Sequence, residues 1–319
     1  MSYKKNPRQE SDKNNIRPNK LLGQHFLHDK NVLAKIIGAA NLTRNDTILE
    51  VGPGLGILTR ELAKYAGQVI AVEKDRALAE ILTKKLADEQ IDNVKIIADD
   101  VLKFLKTKNY QPSAGYKVVA NIPYYLTSHL IRLLLELSNP PQDIILLIQK
   151  EVAKRICACP PKLEERRGAK PLHLRQGSGG QARMSLLAIS VQFYAEAKII
   201  ASVSRKSFRP EPKVDSAIIR ITPKILPPLQ RGIEGDLKNT GKILPNPPFT
   251  KEGIANFFTL LHAGFSHPRK QLLGNLSQGL KIEKERIGAA LAKVGIKNSQ
   301  RAETLTVENW LELSKNLNL

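Results

Sequence analysis

Short apolar runs that alternate with helical patterns through the first two thirds of the chain constrain its fold more than any other feature. The runs are Thr47 to Val51, Gln68 to Val72, Val94 to Ala98, Tyr116 to Ala120 and Ile144 to Ile148. Strand, helix and strand in repeated succession is how a parallel sheet with crossover helices is written in sequence. Two later runs, Leu187 to Phe193 and Ala217 to Thr222, are separated by a proline-containing stretch with no helical period, which predicts an antiparallel pair closing the sheet's edge. The expected fold class is therefore α/β, a doubly wound, mostly parallel seven-stranded sheet. After Glu252 only helical patterns remain. Asn256 to Ala263, Arg269 to Leu276, Lys284 to Ala292 and Val307 to Leu317 predict a small C-terminal all-α domain that could bury little core alone and is expected to lean on the sheet domain.

Two segments interrupt this rhythm. Residues 160–183 and 223–252 are rich in Pro, Gly and charge and carry no consistent period, the pattern of inserted loops that serve as lids or remain disordered. The organisation read from the sequence is a basic flexible tail over 1–20, a sheet domain over 21–222 with an inserted loop at 160–183, an inserted linker over 223–252, and a helical domain over 253–319.

A chain of 319 residues suits two domains of ordinary size. No stretch approaches the roughly 18 uninterrupted apolar residues of a membrane span, and the opening MSYKKNPRQESDKNNIRPNK lacks the apolar core of a signal peptide. A cytosolic protein with no membrane attachment is expected. Cys157 and Cys159 are its two cysteines. One residue apart on a predicted helix, they point to different faces, and no further Cys completes a metal set, so free thiols and no metal site are expected. The formal net charge of +20 favours a polyanionic partner, nucleic acid above all.

The strand ends carry ligand-type residues. Glu50-Val51-Gly52-Pro53-Gly54-Leu55-Gly56 stands where the first long strand ends and a helix, Ile57 to Tyr65, begins. Glycines there let backbone pass close to a ligand, and the N–H groups of a helix start favour negative charge. A dinucleotide fingerprint would place its third glycine one position later, at Ile57, so the spacing argues against a nicotinamide enzyme. Glu73 ends the second strand, where a carboxylate can accept both hydroxyls of a ribose, and Asp100 follows the third, placed to accept from an adenine amine. Each acid alone also fits a solvated carboxylate or a helix cap. At successive carboxyl ends of parallel strands, however, they share one crevice. Asn121-Ile122-Pro123-Tyr124 follows the fourth run. Alone it would pass for a turn, yet it offers an amide, carbonyls and an aromatic ring together. The amine of adenine is a poor nucleophile because its lone pair is delocalised into the ring, so a catalyst must accept its N–H bonds and hold the ring by stacking.

With Leu22-Gly23-Gln24-His25-Phe26-Leu27, Asp99-Asp100-Val101, Gln149-Lys150-Glu151-Val152 and Phe208-Arg209-Pro210-Glu211-Pro212-Lys213-Val214-Asp215-Ser216, these motifs resemble the ribosomal RNA small-subunit adenine dimethyltransferase family. The resemblance covers most of the chain outside the tail and the two insertions. Arg269-Lys270-Gln271-Leu272-Leu273 and Arg301-Ala302-Glu303-Thr304-Leu305 extend it into the helical domain, which separates the family from related large-subunit RNA methylases. It implies a Rossmann-like methyltransferase fold, S-adenosylmethionine as cofactor, and dimethylation of the N6 amines of two adjacent adenosines near the 3′ end of small-subunit (16S) ribosomal RNA during ribosome biogenesis. The implied partner is that RNA in an immature ribosomal subunit, and a monomer is expected.

Residue by residue, the resemblance implies that His25, Leu27, Gly52, Glu73, Asp100 and Asn121 contact S-adenosylmethionine or lie against it. His25 also fits a capping role, and Gln24 and Phe26 fit packing. The target adenine is expected to leave its RNA context and stack between Tyr124 and Phe208, while Asn121 and the Ile122 carbonyl accept the amine's protons and Pro123 stiffens the turn. Lys150, Arg155, Arg205, Lys206, Arg209 and Lys213, with the basic tail, are candidates for phosphate contacts. The chain departs from the family at Gln181-Ala182-Arg183, where a Tyr-Gly pair is usual. Other readings from the sequence are a non-catalytic small-subunit assembly factor, a large-subunit RNA adenine methylase, and a methyltransferase of small molecules or DNA.

Overall fold

The computed structural model describes residues 24–107, 115–158, 184–224 and 251–317. They form two compact units. One runs to Cys157 and resumes over Tyr194–Lys224; the other comprises the described residues between Ala158 and Phe193 and those after Ile225. The basic tail, the inserted loop at 160–183, Cys159 and nearly all of the linker at 223–252 lie outside the described residues.

The first unit opens with a short strand, β1 (Phe26–Leu27), and a helix, α1 (Lys30–Ala40). Asp29 starts α1 by accepting from the N–H groups of Asn31 and Val32, two of the donors a helix start leaves unpaired. There follow β2 (Thr47–Val51), α2 (Ile57–Tyr65), β3 (Gln68–Glu73), α3 (Arg76–Asp88), β4 (Val94–Ala98), the single turn α4 (Val101–Phe104), β5 (Lys117–Asn121), α5 (Thr127–Glu136), β6 (Asp143–Gln149) and α6 (Lys150–Ile156). Cys157 is a free thiol just past the end of α6. Past α7 (Leu186–Tyr194) come β7 (Ala195–Val203), β8 (Phe208–Arg209) and β9 (Ser216–Pro223).

Seven strands make one sheet in the order β4-β3-β2-β5-β6-β9-β7. The five from β4 to β6 are parallel, and β9 lies antiparallel between β6 and β7. From β2 the chain steps outward through β3 and β4, then returns to lay β5 and β6 on the other side. That reversal opens a crevice at the carboxyl ends of β2 and β5. Ile48, Val69, Val119 and Ile145 of the sheet pack in one core with Ile36 of α1 and Leu58 and Leu62 of α2. Each such side chain contributes about 1.5–3 kcal/mol on full burial.

Over this crevice lies a second, two-stranded pairing. β1 and β8 run antiparallel, with Phe26 opposite Arg209 and Leu27 opposite Phe208. His28 N–H donates to the Ser207 carbonyl at 3.0 Å, and the Ser207 hydroxyl donates to Asp29 at 2.9 Å. The ribbon is thereby stitched on both sides, and Leu27 and Phe208 join the core.

The apolar run Leu187 to Phe193 is not the strand expected of it. It forms the helix α7, and the antiparallel edge partner of β9 is the following segment, β7. Its second half, Ile189-Ser190-Val191-Gln192-Phe193, alternates apolar and polar residues as a half-buried strand does, and a run this short cannot be told from a buried helix segment by periodicity alone.

In the second unit α7 joins α8 (Lys251–Gly264), α9 (Leu272–Leu280), α10 (Lys284–Lys293) and α11 (Val307–Leu317). Phe193 stacks on Phe257 with ring centroids 4.8 Å apart and meets Phe258 edge-on at 5.8 Å. Asn275 closes the end of α8 by donating to the carbonyl of Gly264, a group that the helix end leaves unpaired, and to that of His267 in the turn beyond it. Among the described residues no helix is long and apolar enough to cross a membrane.

Candidate active site at the sheet crevice

The residues proposed from the sequence for cofactor and target base all line one cleft of about 220 Å³ at the carboxyl ends of β2 to β5: His25, Leu27, Gly52, Glu73, Asp100, Asn121, Ile122, Pro123, Tyr124 and Phe208.

The glycine turn forms one wall. Gly52, at φ 67, donates its N–H to the Val72 carbonyl at 2.9 Å, which fixes the turn against β3. Gly54 sits at φ 56, and a Cβ there would lie 3.0 Å from the Phe26 ring, so both its conformation and its neighbour exclude a side chain. Its N–H donates to Glu73 Oε2 at 3.0 Å, and Asp75 N–H donates to Oε1 at 2.9 Å. Burial nonetheless holds the Glu73 carboxyl above its ordinary range.

Asp100 caps α4 by accepting from Leu102 N–H at 2.9 Å and pairs with Lys74 at 2.9 Å. The Lys74 ammonium holds its carboxyl below the usual range against the opposing effect of burial. The capping alternative and a place in the cleft are therefore both realised in the same side chain.

Across the crevice, Asn121 ends β5. Its Nδ2 donates to the His25 carbonyl at 3.1 Å. That bond orients the amide and leaves Oδ1 as the side chain's acceptor. The Tyr124 hydroxyl pairs with the Ser216 hydroxyl at 3.0 Å, and the His25 ring packs against Tyr124 with centroids 6.0 Å apart. His25 Nδ1 bonds the Pro210 carbonyl at 2.7 Å. One residue thus ties the ribbon to both Asn121 and Tyr124. Phe208, only 3% exposed, closes the cleft from β8. Of the proposed phosphate contacts, Arg205, Lys206, Arg209 and Lys213 are exposed on the segment around β8, and Arg205 pairs with Glu211 at 2.8 Å.

Sequence reasoning gave no role to four residues of the site or its support: Glu50, Lys74, Tyr125 and Ser216. Glu50 is 1% exposed, lines the cleft, and its Oε2 has no hydrogen-bond partner among the described residues. Burial pushes its carboxyl up to about 8, with the nearby Glu73 charge adding to the rise and the Thr59 hydroxyl opposing it. The signal was present in the acid that opens the glycine turn, but nothing in the spelling distinguishes a buried carboxylate from a solvated one.

A family pattern described as ribosomal RNA adenine dimethylase matches residues 15–169 and 170–232. The chain belongs to the ribosomal RNA adenine dimethylase family. Among curated relatives, the "Ribosomal RNA small subunit methyltransferase A" of Dehalococcoides mccartyi is 39% identical over 93% of this chain and 88% of its own length. The protein of the same name from Geobacillus thermodenitrificans is 36% identical over 93% of this chain and 90% of its own. Among solved structures, the 23S rRNA methyltransferase ErmE superposes with a TM-score of 0.61 at 26% identity, covering 92% of this chain and 100% of that one. A dimethyladenosine transferase from Plasmodium falciparum shares the fold, with a TM-score of 0.64 at 24% identity over 91% of this chain and 96% of that one. For an adenine dimethylase the cleft has the required kinds of group: acceptors for an exocyclic amine, aromatic rings, and carboxylates at successive strand ends.

Proposed function

We propose that this adenine dimethylase transfers methyl groups from S-adenosylmethionine to the N6 amines of two adjacent adenosines near the 3′ end of small-subunit ribosomal RNA, forming N6,N6-dimethyladenosine. The observation that carries this reading is the fixed amide of Asn121, whose Nδ2 is committed to the His25 carbonyl and whose Oδ1 is left to accept. With the Ile122 carbonyl it receives the N–H bonds of the target amine, drawing the nitrogen toward a tetrahedral shape and freeing its lone pair. Tyr124, anchored at its hydroxyl, and Phe208 hold the base by its faces. Leu27 and Phe208 keep water from the reacting groups. No strong base is required, because the amine becomes acidic once it carries positive charge.

The cleft fits S-adenosylmethionine. Gly52 offers bare backbone, Glu73 suits the ribose hydroxyls, Asp100 and the backbone near it suit the adenine, and the unpartnered oxygen of Glu50 suits a cationic ammonium. When bound, this cofactor supplies a methyl group on a positively charged sulfur. The chain is read as a cytoplasmic monomer acting on an immature ribosomal subunit, with a helical RNA-recognition domain over 253–319. In support, Arg269, Lys270, Lys284 and Arg301 line a hollow in the helical unit, a set of charges suited to phosphates.

The test is labelled S-adenosylmethionine with immature small ribosomal subunits, followed by mass spectrometry of nucleosides. Wild type is expected to yield N6,N6-dimethyladenosine, and Asn121→Ala to lose about 100-fold or more of the rate, the scale of losing one preorganised polar contact. Undiminished dimethylation by the variant would refute the assigned role. The likeness to a 23S enzyme makes the large subunit the control substrate, and preferential methylation there would overturn the assignment.

A further inference from the structure

Tyr125 follows Tyr124 in the three-residue turn Tyr124–Leu126, yet the two rings have opposite surroundings. Tyr124 is half-buried and tied to Ser216, whereas Tyr125 is 59% exposed and its hydroxyl has no hydrogen bond among the described residues. Single exposed aromatics are ordinary on protein surfaces. Position distinguishes this one, because Tyr125 lines the rim of the cleft together with Lys74 and His129, and all three are exposed. Lys74 Nζ pairs with Asp100 at 2.9 Å.

We propose that Tyr125 is a stacking platform for the nucleotide next to the one in the cleft, with the Lys74 ammonium taking a phosphate beside it. This rests on the reading of the cleft as a site for adenosine in RNA. A strand that places one base in the cleft must leave across the rim. Adjacent in the same turn, Tyr124 and Tyr125 place one ring in the cleft and one on the rim that such a strand must cross. Single-stranded RNA is held by aromatic faces flanked by positive charge, and the rim supplies both. The Lys74 pair with Asp100 joins partly exposed groups. Pairs of that kind are weak, so the ammonium can turn to a phosphate at little cost.

Adjacent target adenosines give the platform a purpose. While one base is in the cleft its neighbour must be held nearby, and an unanchored ring at the rim can hold either neighbour without selecting between them. The chain over-supplies aromatic surface at this turn for a single base, and the surplus faces solvent at the point where the second base emerges.

The probe is small-subunit RNA carrying 2-aminopurine beside the target adenosine, whose fluorescence falls on stacking. Wild type and Tyr125→Phe are expected to quench it, and Tyr125→Ala to leave it bright. With unmodified small subunits, Tyr125→Ala should raise KM for RNA about five- to tenfold, the lower range of one lost base stack. Its kcat should stay within twofold, and S-adenosylmethionine affinity should not change. Equal quenching by wild type and Tyr125→Ala, absence of quenching by wild type, or an unchanged KM overturns the platform. A weakened affinity for S-adenosylmethionine would instead make Tyr125 a cofactor contact and also overturn it. Failure of wild type to methylate any RNA would defeat the proposed activity, while the fluorescence would still report on the platform.

Discussion

Glu50 is held as a neutral acid in the folded protein at pH values where an exposed glutamate is charged. Its carboxyl titrates at about 8 instead of the ordinary 4.5. Between those values the folded state keeps a proton that the unfolded chain gives up, so stability falls as pH rises from about 4.5 to about 8. At pH 7 the cost is on the order of 3 kcal/mol, because each tenfold change in an ionisation equilibrium is worth about 1.4 kcal/mol. Glu50→Gln removes the ionisable group. It is expected to flatten the decline of Tm over this window and to leave the variant more stable than wild type at pH 8, measured by thermal unfolding at a series of pH values. An unaltered pH profile would show that Glu50 ionises freely. If Glu50 meets a cationic ammonium, the same variant should bind S-adenosylmethionine about tenfold more weakly by calorimetry. At this scale the sequence pointed to the strand-end residues because their chemistry matches a nucleoside. It could not mark Glu50 or Ser216, whose importance comes from burial and from a partner far away in the chain.

Lys117 is the first residue of β5 and joins that strand to the end of α1. Its ammonium donates to the Ala40 and Asn41 carbonyls at 3.3 and 2.9 Å and pairs with Asp46 at 3.0 Å. Burial raises the Asp46 carboxyl, but the Thr43 N–H and Lys117 more than offset it, so its pKa lies below the ordinary value. The stability from this acid is therefore present above the unfolded pKa and lost as pH falls through the folded one. Lys117→Met strands Asp46 and two helix-end carbonyls. It is expected to cost about 3–5 kcal/mol in urea unfolding, and a loss under 1 kcal/mol would show that water replaces the ammonium. In the helical unit, Phe193→Ala should cost about 3–5 kcal/mol. Trp310, the single tryptophan and fully buried in the same unit, gives a fluorescence signal for that loss. Elements were legible where periodicity was unambiguous: β2, β3, β4 and β9 lie where apolar runs predicted strands, and α11 spans the predicted Val307 to Leu317. The misread element, α7, is short and mostly apolar, with Ser190 and Gln192 spaced as in a half-buried strand. Its identity is decided by Phe257 and Phe258, which lie some sixty residues away and leave no trace in its own spelling.

For the molecule as a whole, the net charge of +20 makes RNA binding a largely electrostatic equilibrium. The affinity for small-subunit RNA should fall linearly on a double-logarithmic plot against salt, with a slope of about −3 or steeper. A flat response in filter binding would mean that charge is not what holds the RNA. The doubly wound sheet was legible as a whole because strand and helix alternate regularly. The ribbon of β1 and β8 was not, since two residues on each side carry no pattern and their pairing is settled only by tertiary contact. That ribbon has a consequence for how the protein comes to life. Chains are made from the N-terminus, and pairings between distant segments wait for the later one. The strands from β2 to β6 can gather while Phe26 and Leu27 still lack their partner, so a partly made chain has the floor of its cleft without the roof. If Phe208 holds the base as proposed, competence waits until Phe208 and Arg209 have been added, and an enzyme that works on ribosomal RNA is then kept idle through most of its own synthesis on a ribosome.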